Sequence, residues 1–111
     1  MAIATTAQRE NVAVNGYAAA ATYLSLHTAD PGTTGASEVS GGGYARAPIT
    51  WAPGPVDGAV TGTATVTTAA GVAVTHAGLW GSPVGGTFLD KAAGAATSTG
   101  SVSVTLTYTQ A

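Results

Sequence analysis

Tyr23-Leu24-Ser25-Leu26-His27-Thr28-Ala29-Asp30-Pro31-Gly32 runs a short apolar alternation straight into a strong turn. Leu24 and Leu26 alternate with Ser25 and His27, the period of a half-buried strand, so a strand is predicted over Thr22 to Thr28. Asp30-Pro31-Gly32 stops it: Asp bonds its own backbone two residues on, Pro presets φ, and Gly accepts positive φ. The Gly/Ser-rich stretch Ala29 to Gly43 that follows is longer than most connections in a compact domain. It reads either as a surface excursion pinned by Glu38 and Val39 or as a loop that contacts a partner. Glu38 and Arg46 flank Gly41-Gly42-Gly43 and can pair across it, closing the loop.

Downstream, Arg46 to Trp51 reads as a second strand, with Ala47, Ile49 and Trp51 on one face. Pro48 cannot donate to a ladder, so this strand belongs at a sheet edge or turns that position outward. Thr61 to Ala69 places Ala64 and Val66 inward and Thr63, Thr65 and Thr67 outward. Val72 to Trp80 follows, and a turn at Gly71 predicts a hairpin between the two. Thr87 to Ala92 is a further short strand. Ser101 to Thr109 gives the clearest alternation: Val102, Val104, Leu106 and Tyr108 on one side, Ser and Thr on the other. Upstream, a helix is predicted over roughly Thr6 to Ala19, with a capping box at Thr5-Thr6-Ala7-Gln8 and an irregularity or stop at Asn15-Gly16. Six short strands divided by Gly/Pro turns predict a mainly β chain of 111 residues and one domain. Its expected form is an antiparallel β-sandwich or jelly-roll-like domain with an N-terminal helix.

Only 7% of the residues are charged, against about 25% in ordinary globular proteins. Such a surface is expected to be covered in an assembly; the competing reading is a monomer coated in Thr and Ser. Two Trp, one Phe and one Met leave a thin core, which neighbouring subunits would complete. Three Lys/Arg and a net charge of −2 cannot neutralise a useful number of phosphates, which argues against nucleic acid. No run approaches the ~18 apolar residues of a membrane span. The N-terminus lacks a basic region followed by an apolar one, so no signal peptide is expected. Zero cysteines exclude disulfides and thiolate chemistry.

Ser25, His27 and Asp30 are the three residue types of a nucleophilic triad, and Ser25 and His27 share a strand face. Asp30 is better explained as the turn residue, and no Gly-x-Ser-x-Gly elbow exposes the Ser, so no enzyme is expected. His27 and His76 with Asp30, Glu38, Asp57 or Asp90 offer a weak metal set without His-x-His spacing; neither metal nor cofactor is expected. His27 reads as a surface or interface residue bonding locally, and His76 as a half-buried residue bonded to backbone. Nothing after the triple glycine makes it a phosphate cradle. Tyr44 and Trp51 read as core or interface anchors, or else as a sugar-stacking platform. With Arg46 they are the candidate partner contacts.

Tyr23 to Gly32, then Thr34-Gly35, Glu38-Val39, Gly41-Gly42, Tyr44-Ala45-Arg46 and Ile49-Thr50-Trp51, resembles a family of small virion proteins of tailed phages, mostly of actinobacterial hosts. Its members are labelled tail-fibre-like or minor tail proteins. Thr75-His76-Ala77-Gly78-Leu79-Trp80 with Gly85-Gly86 is similar to the family's second block. The resemblance implies a structural, non-enzymatic particle component found in the virion after assembly in the host cytoplasm. Its expected partners are itself, as a homo-oligomer with a trimer favoured, and other virion proteins. A capsid decoration protein is the alternative placement, and a host carbohydrate-binding module is the alternative of another class.

Overall fold

A computed structural model describes residues 13–53 and 59–109. Ala13–Ala18 form a π-helical turn, and the chain stays helical to Ala20, where Ala21 N donates to Tyr17 O at 2.9 Å. Gly16 lies inside this wide turn rather than ending a helix in left-handed geometry. The expected capping box at Thr5 to Gln8 lies outside the described residues.

Among the described residues seven strands follow: β1 (Tyr23–His27), β2 (Ala47–Pro48), β3 (Thr50–Pro53), β4 (Ala59–Thr67), β5 (Ala73–Trp80), β6 (Phe88–Thr97) and β7 (Ser101–Thr109). Every pairing is antiparallel. They form a four-stranded sheet, β2-β1-β5-β6, and a three-stranded sheet, β3-β4-β7. Leu24, Leu26, Ala47, Val74, Ala77 and Leu79 of the first meet Ala64, Val66 and Val102 of the second in one buried cluster. This is the expected sandwich. Leu24, Leu26 and Val66 are fully buried, each worth about 1.5–3 kcal/mol.

Four expectations change. The strand expected over Arg46 to Trp51 is two strands in different sheets: β2 pairs with β1, β3 with β4, and the chain crosses between them at Ile49, whose N–H bonds Thr22 O. Pro48 does sit on an edge strand. The hairpin expected between β4 and β5 is absent. Gly71 turns the chain at φ 84°, but the 68–72 connection carries it from one sheet to the other. It lies beside the third such crossing, between β6 and β7: Thr68 N bonds Gly100 O, Gly71 N bonds Ser98 O, and Ser98 N bonds Val72 O. Third, β6 runs five residues past the predicted end, through Ala93 to Thr97, because an antiparallel neighbour overrides the weak strand preference of Ala and Gly. Last, β1 is not half-buried. Leu24, Ser25, Leu26 and His27 are all buried, so both of its faces are covered.

Candidate functional site

The second cover on β1 is the long loop. Val39 N donates to Leu26 O, Thr28 N to Ser37 O, and His27 bridges Glu38, so Glu38 and Val39 pin it as expected. The register of β1 on β5 sets Ser25 opposite Gly78 and His27 opposite His76. A register shift between Val74 and His76 turns Val74 into the core with Ala77 and Leu79. His76, Gly78 and Trp80 face the other way, toward Ser25, His27 and the loop.

Those residues make a closed polar relay. Trp80 Nε1 donates to Ser25 Oγ at 2.8 Å. Ser25 Oγ is 2.6 Å from His27 Nε2, and His27 Nδ1 is 2.7 Å from Ala36 O. A carbonyl only accepts, so Nδ1 carries the proton, Nε2 accepts, and Ser25 donates to it. Every polar atom of the relay is satisfied with His27 neutral. Burial lowers the His27 pKa from its ordinary value, though the bond to Ala36 opposes this. A side chain at Gly78 would run into Ser25 Oγ and come within 2.6 Å of His27 Nε2. Gly35, at φ +78, lies under the Trp80 ring, where a Cβ would also collide. The relay needs both glycines.

Above Trp80 lies Arg46, its guanidinium carbon 3.6 Å from the ring centroid. Nε and Nη2 each donate at 2.9 Å to the two Glu38 oxygens, while Nη1 donates to Ser82 O and Gly85 O. Four of its five N–H donors are thus used, tying the 29–43 loop to the 81–87 turn. Tyr44 Oη donates to Glu38 Oε2 at 2.6 Å and accepts from Leu26 N. Burial raises the Glu38 carboxyl, but the bonds from Arg46 and Tyr44 outweigh it and hold the group below its usual range. Burial, reinforced by the Glu38 carboxylate, pushes the Tyr44 phenol up. Phe88 closes the cluster edge-on to Trp80 and His27, with centroids 5.2 and 6.1 Å away.

Ser25 and His27 do bond each other, but the triad stops there. Asp30 Oδ1 accepts from Gly32 N at 2.8 Å, the turn expected of it, and from Lys91 Nζ at 2.6 Å. His27 meets a peptide carbonyl instead of a carboxylate, and Ser25 is fully buried, so no substrate reaches its oxygen. His27 is buried, not the surface or interface residue expected, although it does bond locally, to Ser25 and Ala36. His76 is half-buried, and its Nδ1 pairs with the Thr75 hydroxyl at 2.9 Å rather than with backbone. Among the described residues no group of three or more His, Cys, Asp or Glu could hold a metal; Asp57 lies outside them.

Of the candidate contact residues, Tyr44 and Arg46 meet at Glu38. Trp51 belongs to a separate network: its Nε1 donates to Ala21 O at 2.7 Å and its ring stands edge-on to Tyr17 at 5.8 Å. Tyr17 stacks on Tyr108 at 3.8 Å and donates to Asp90. Sequence reasoning did not assign Gly78, Trp80 and Phe88 to a site. Their signal is the pairing register, which sets Gly78 against Ser25.

A family model described as Podophage GP4 fiber I protein gp80 matches residues 5–109. No curated protein and no solved structure matches the chain.

Proposed function

The chain belongs to the podophage GP4 fiber I protein gp80 family, and from that premise we propose that it is a structural, non-catalytic part of the tail fibre of a tailed phage. It acts by associating with itself and docking on other virion proteins, after assembly in the cytoplasm of the host. The block similarity of Tyr23 to Trp51 supports an actinobacterial host. The observation that carries the reading is the match across residues 5–109. The geometry agrees with it: Ser25, His27, Glu38 and Arg46 bond one another, backbone and Trp80, and the cluster fastens a loop to a sheet. A surface with 7% charged residues suits a chain covered by neighbours.

Gold-labelled antibody on purified virions tests the placement. Label confined to the tail fits the proposal. Label over the capsid shell would move the chain to a decoration role, and no label on intact or disrupted particles would overturn a virion role.

A further inference from the structure

Val84 is the most exposed large apolar side chain among the described residues, at 86%. It stands on the turn from Gly81 to Thr87, between β5 and β6. Arg46 grips that turn on both sides of it, Nη1 donating to Ser82 O at 3.0 Å and to Gly85 O at 2.8 Å. Gly85 and Gly86 bend the backbone in left-handed geometry, at φ 63° and 81°. This apolar knob is therefore held in place before it meets anything, which removes much of the ordering cost of binding. The molecule also carries a hole. Between β6 and β7 the sandwich is open along a cleft of about 400 Å³. Buried Leu26, Val74 and Ala77 form its floor, and Ala96, Val104 and Leu106 line its sides. Among the described residues no Asp, Glu, Lys or Arg lines it.

We infer that the Val84 turn of one copy of this chain seats in the β6–β7 cleft of the next copy, in a head-to-tail contact. A copy cannot fill its own cleft. The turn lies before Phe88, the first residue of β6, and Ala96 lies near the last. At about 3.3 Å per residue the strand sets the two about 25 Å apart. A second copy is the matching occupant because the chain presents one knob and one hole, and both are uncharged. Residues 81–87 are Gly, Ser, Pro, Val and Thr, so burial of apolar surface decides the fit and no charge is stranded by it. Seating the turn buries Val84 and covers Val104 and Leu106, which are only half-buried in the single chain. A knob on one surface and a hole on another make a heterologous contact. Such a contact closes into a ring where the rotation between copies allows, and otherwise runs on as a filament. The trimer expected from the resemblance is a ring of this kind. The inference rests on the self-association proposed above and names the two surfaces that carry it.

Two variants and their mixture test it. Val84→Lys charges the knob and leaves the carbonyls that Arg46 holds in place. Ala96 is paired with Val74, whose side chain is buried in the core, so Ala96→Phe fills the cleft from the same face. By light scattering the parent protein runs as an oligomer, and each variant alone runs as a monomer with unchanged circular dichroism. Mixed one to one, the variants form a pair of twice the monomer mass and nothing larger, because Val84→Lys keeps the cleft and Ala96→Phe keeps the knob. Where Ala96→Phe loses the native circular dichroism, Ala96→Leu takes its place. An oligomer that survives either variant, or a mixture that stays monomeric where the parent assembles, overturns the head-to-tail contact and leaves self-association standing. A parent protein monomeric at every concentration overturns both.

Discussion

Trp80 Nε1 and Ser25 Oγ are 2.8 Å apart although 55 residues separate them in the chain. That bond joins the two sequence blocks that resemble the virion family, and it makes Ser25 the centre of the relay. Ser25→Ala removes the acceptor of Trp80 and the donor to His27 together. Leaving a buried polar group unpaired costs about 1–3 kcal/mol, so a loss near the top of that range is expected in urea unfolding. A loss under about 0.5 kcal/mol would mean that the relay does not hold the loop.

Acid should weaken the fold in two stages. Burial depresses the His27 pKa, so the unfolded chain takes up that proton first as pH falls. The His27 contribution is therefore complete above its ordinary value of 6.5 and is lost as pH drops from there through the lowered folded value. Glu38 has the same sign in a lower window: its contribution is complete above 4.5 and is lost below that. Thermal midpoints are expected to begin falling near pH 6.5, and His27→Gln is expected to remove the upper stage alone. A parent midpoint that stays level between about pH 7.5 and about 5.5 contradicts this.

Arg46 carries three tasks that lysine cannot combine: a two-point bond to Glu38, a flat stack on Trp80 and bonds to two carbonyls. Arg46→Ala strands the Glu38 carboxylate in a site where its side chain is 23% exposed, and a loss of about 3 kcal/mol is expected. Arg46→Lys is expected to recover less than half. Adding Glu38→Gln to Arg46→Ala should cost less than the two changes summed, which a double-mutant cycle measures. Simple additivity would show that the two residues act independently.

Thr68 Oγ1 is buried and, among the described residues, has no hydrogen-bond partner. Thr68→Val removes that unsatisfied group at nearly constant shape, so stability is expected to hold or to rise by up to about 1 kcal/mol. A clear loss in calorimetry would show that the hydroxyl bonds water that matters to the crossing.

Much of the sandwich was legible from alternation alone. β7 begins and ends where its Val/Thr pattern does, and Ala64 and Val66 point inward as the spacing of β4 requires. The Glu38–Arg46 pair was legible because the two residues flank a run of glycines. Sheet membership was not. Gly71 marks a turn equally well whether the next strand pairs with the last or crosses to the opposite sheet. Nor was the burial of Ser25 and His27 legible: polar alternation reads as solvent, and only the loop folded over β1 reverses that. The strand length of β6 escaped because Ala93 to Ala96 has little preference of its own.

The strand order also sets how fast the chain can reach this state. β1 meets β5 at separations from 49 residues (His27↔His76) to 57 (Tyr23↔Trp80), and β4 meets β7 at 34 (Thr67↔Ser101) to 50 (Ala59↔Thr109). β5 and β6 lie close in sequence, from 8 residues apart at Trp80↔Phe88, as do β3 and β4, from 7 at Pro53↔Val60. With loop closure needed before most pairings form, folding belongs to the slow class of all-β domains, roughly milliseconds to seconds. The β5–β6 and β3–β4 pairs are the natural first structures. Until β7 arrives, β4 waits with one side bare, so during synthesis at high local concentration the β4 of one chain can capture the β7 of another.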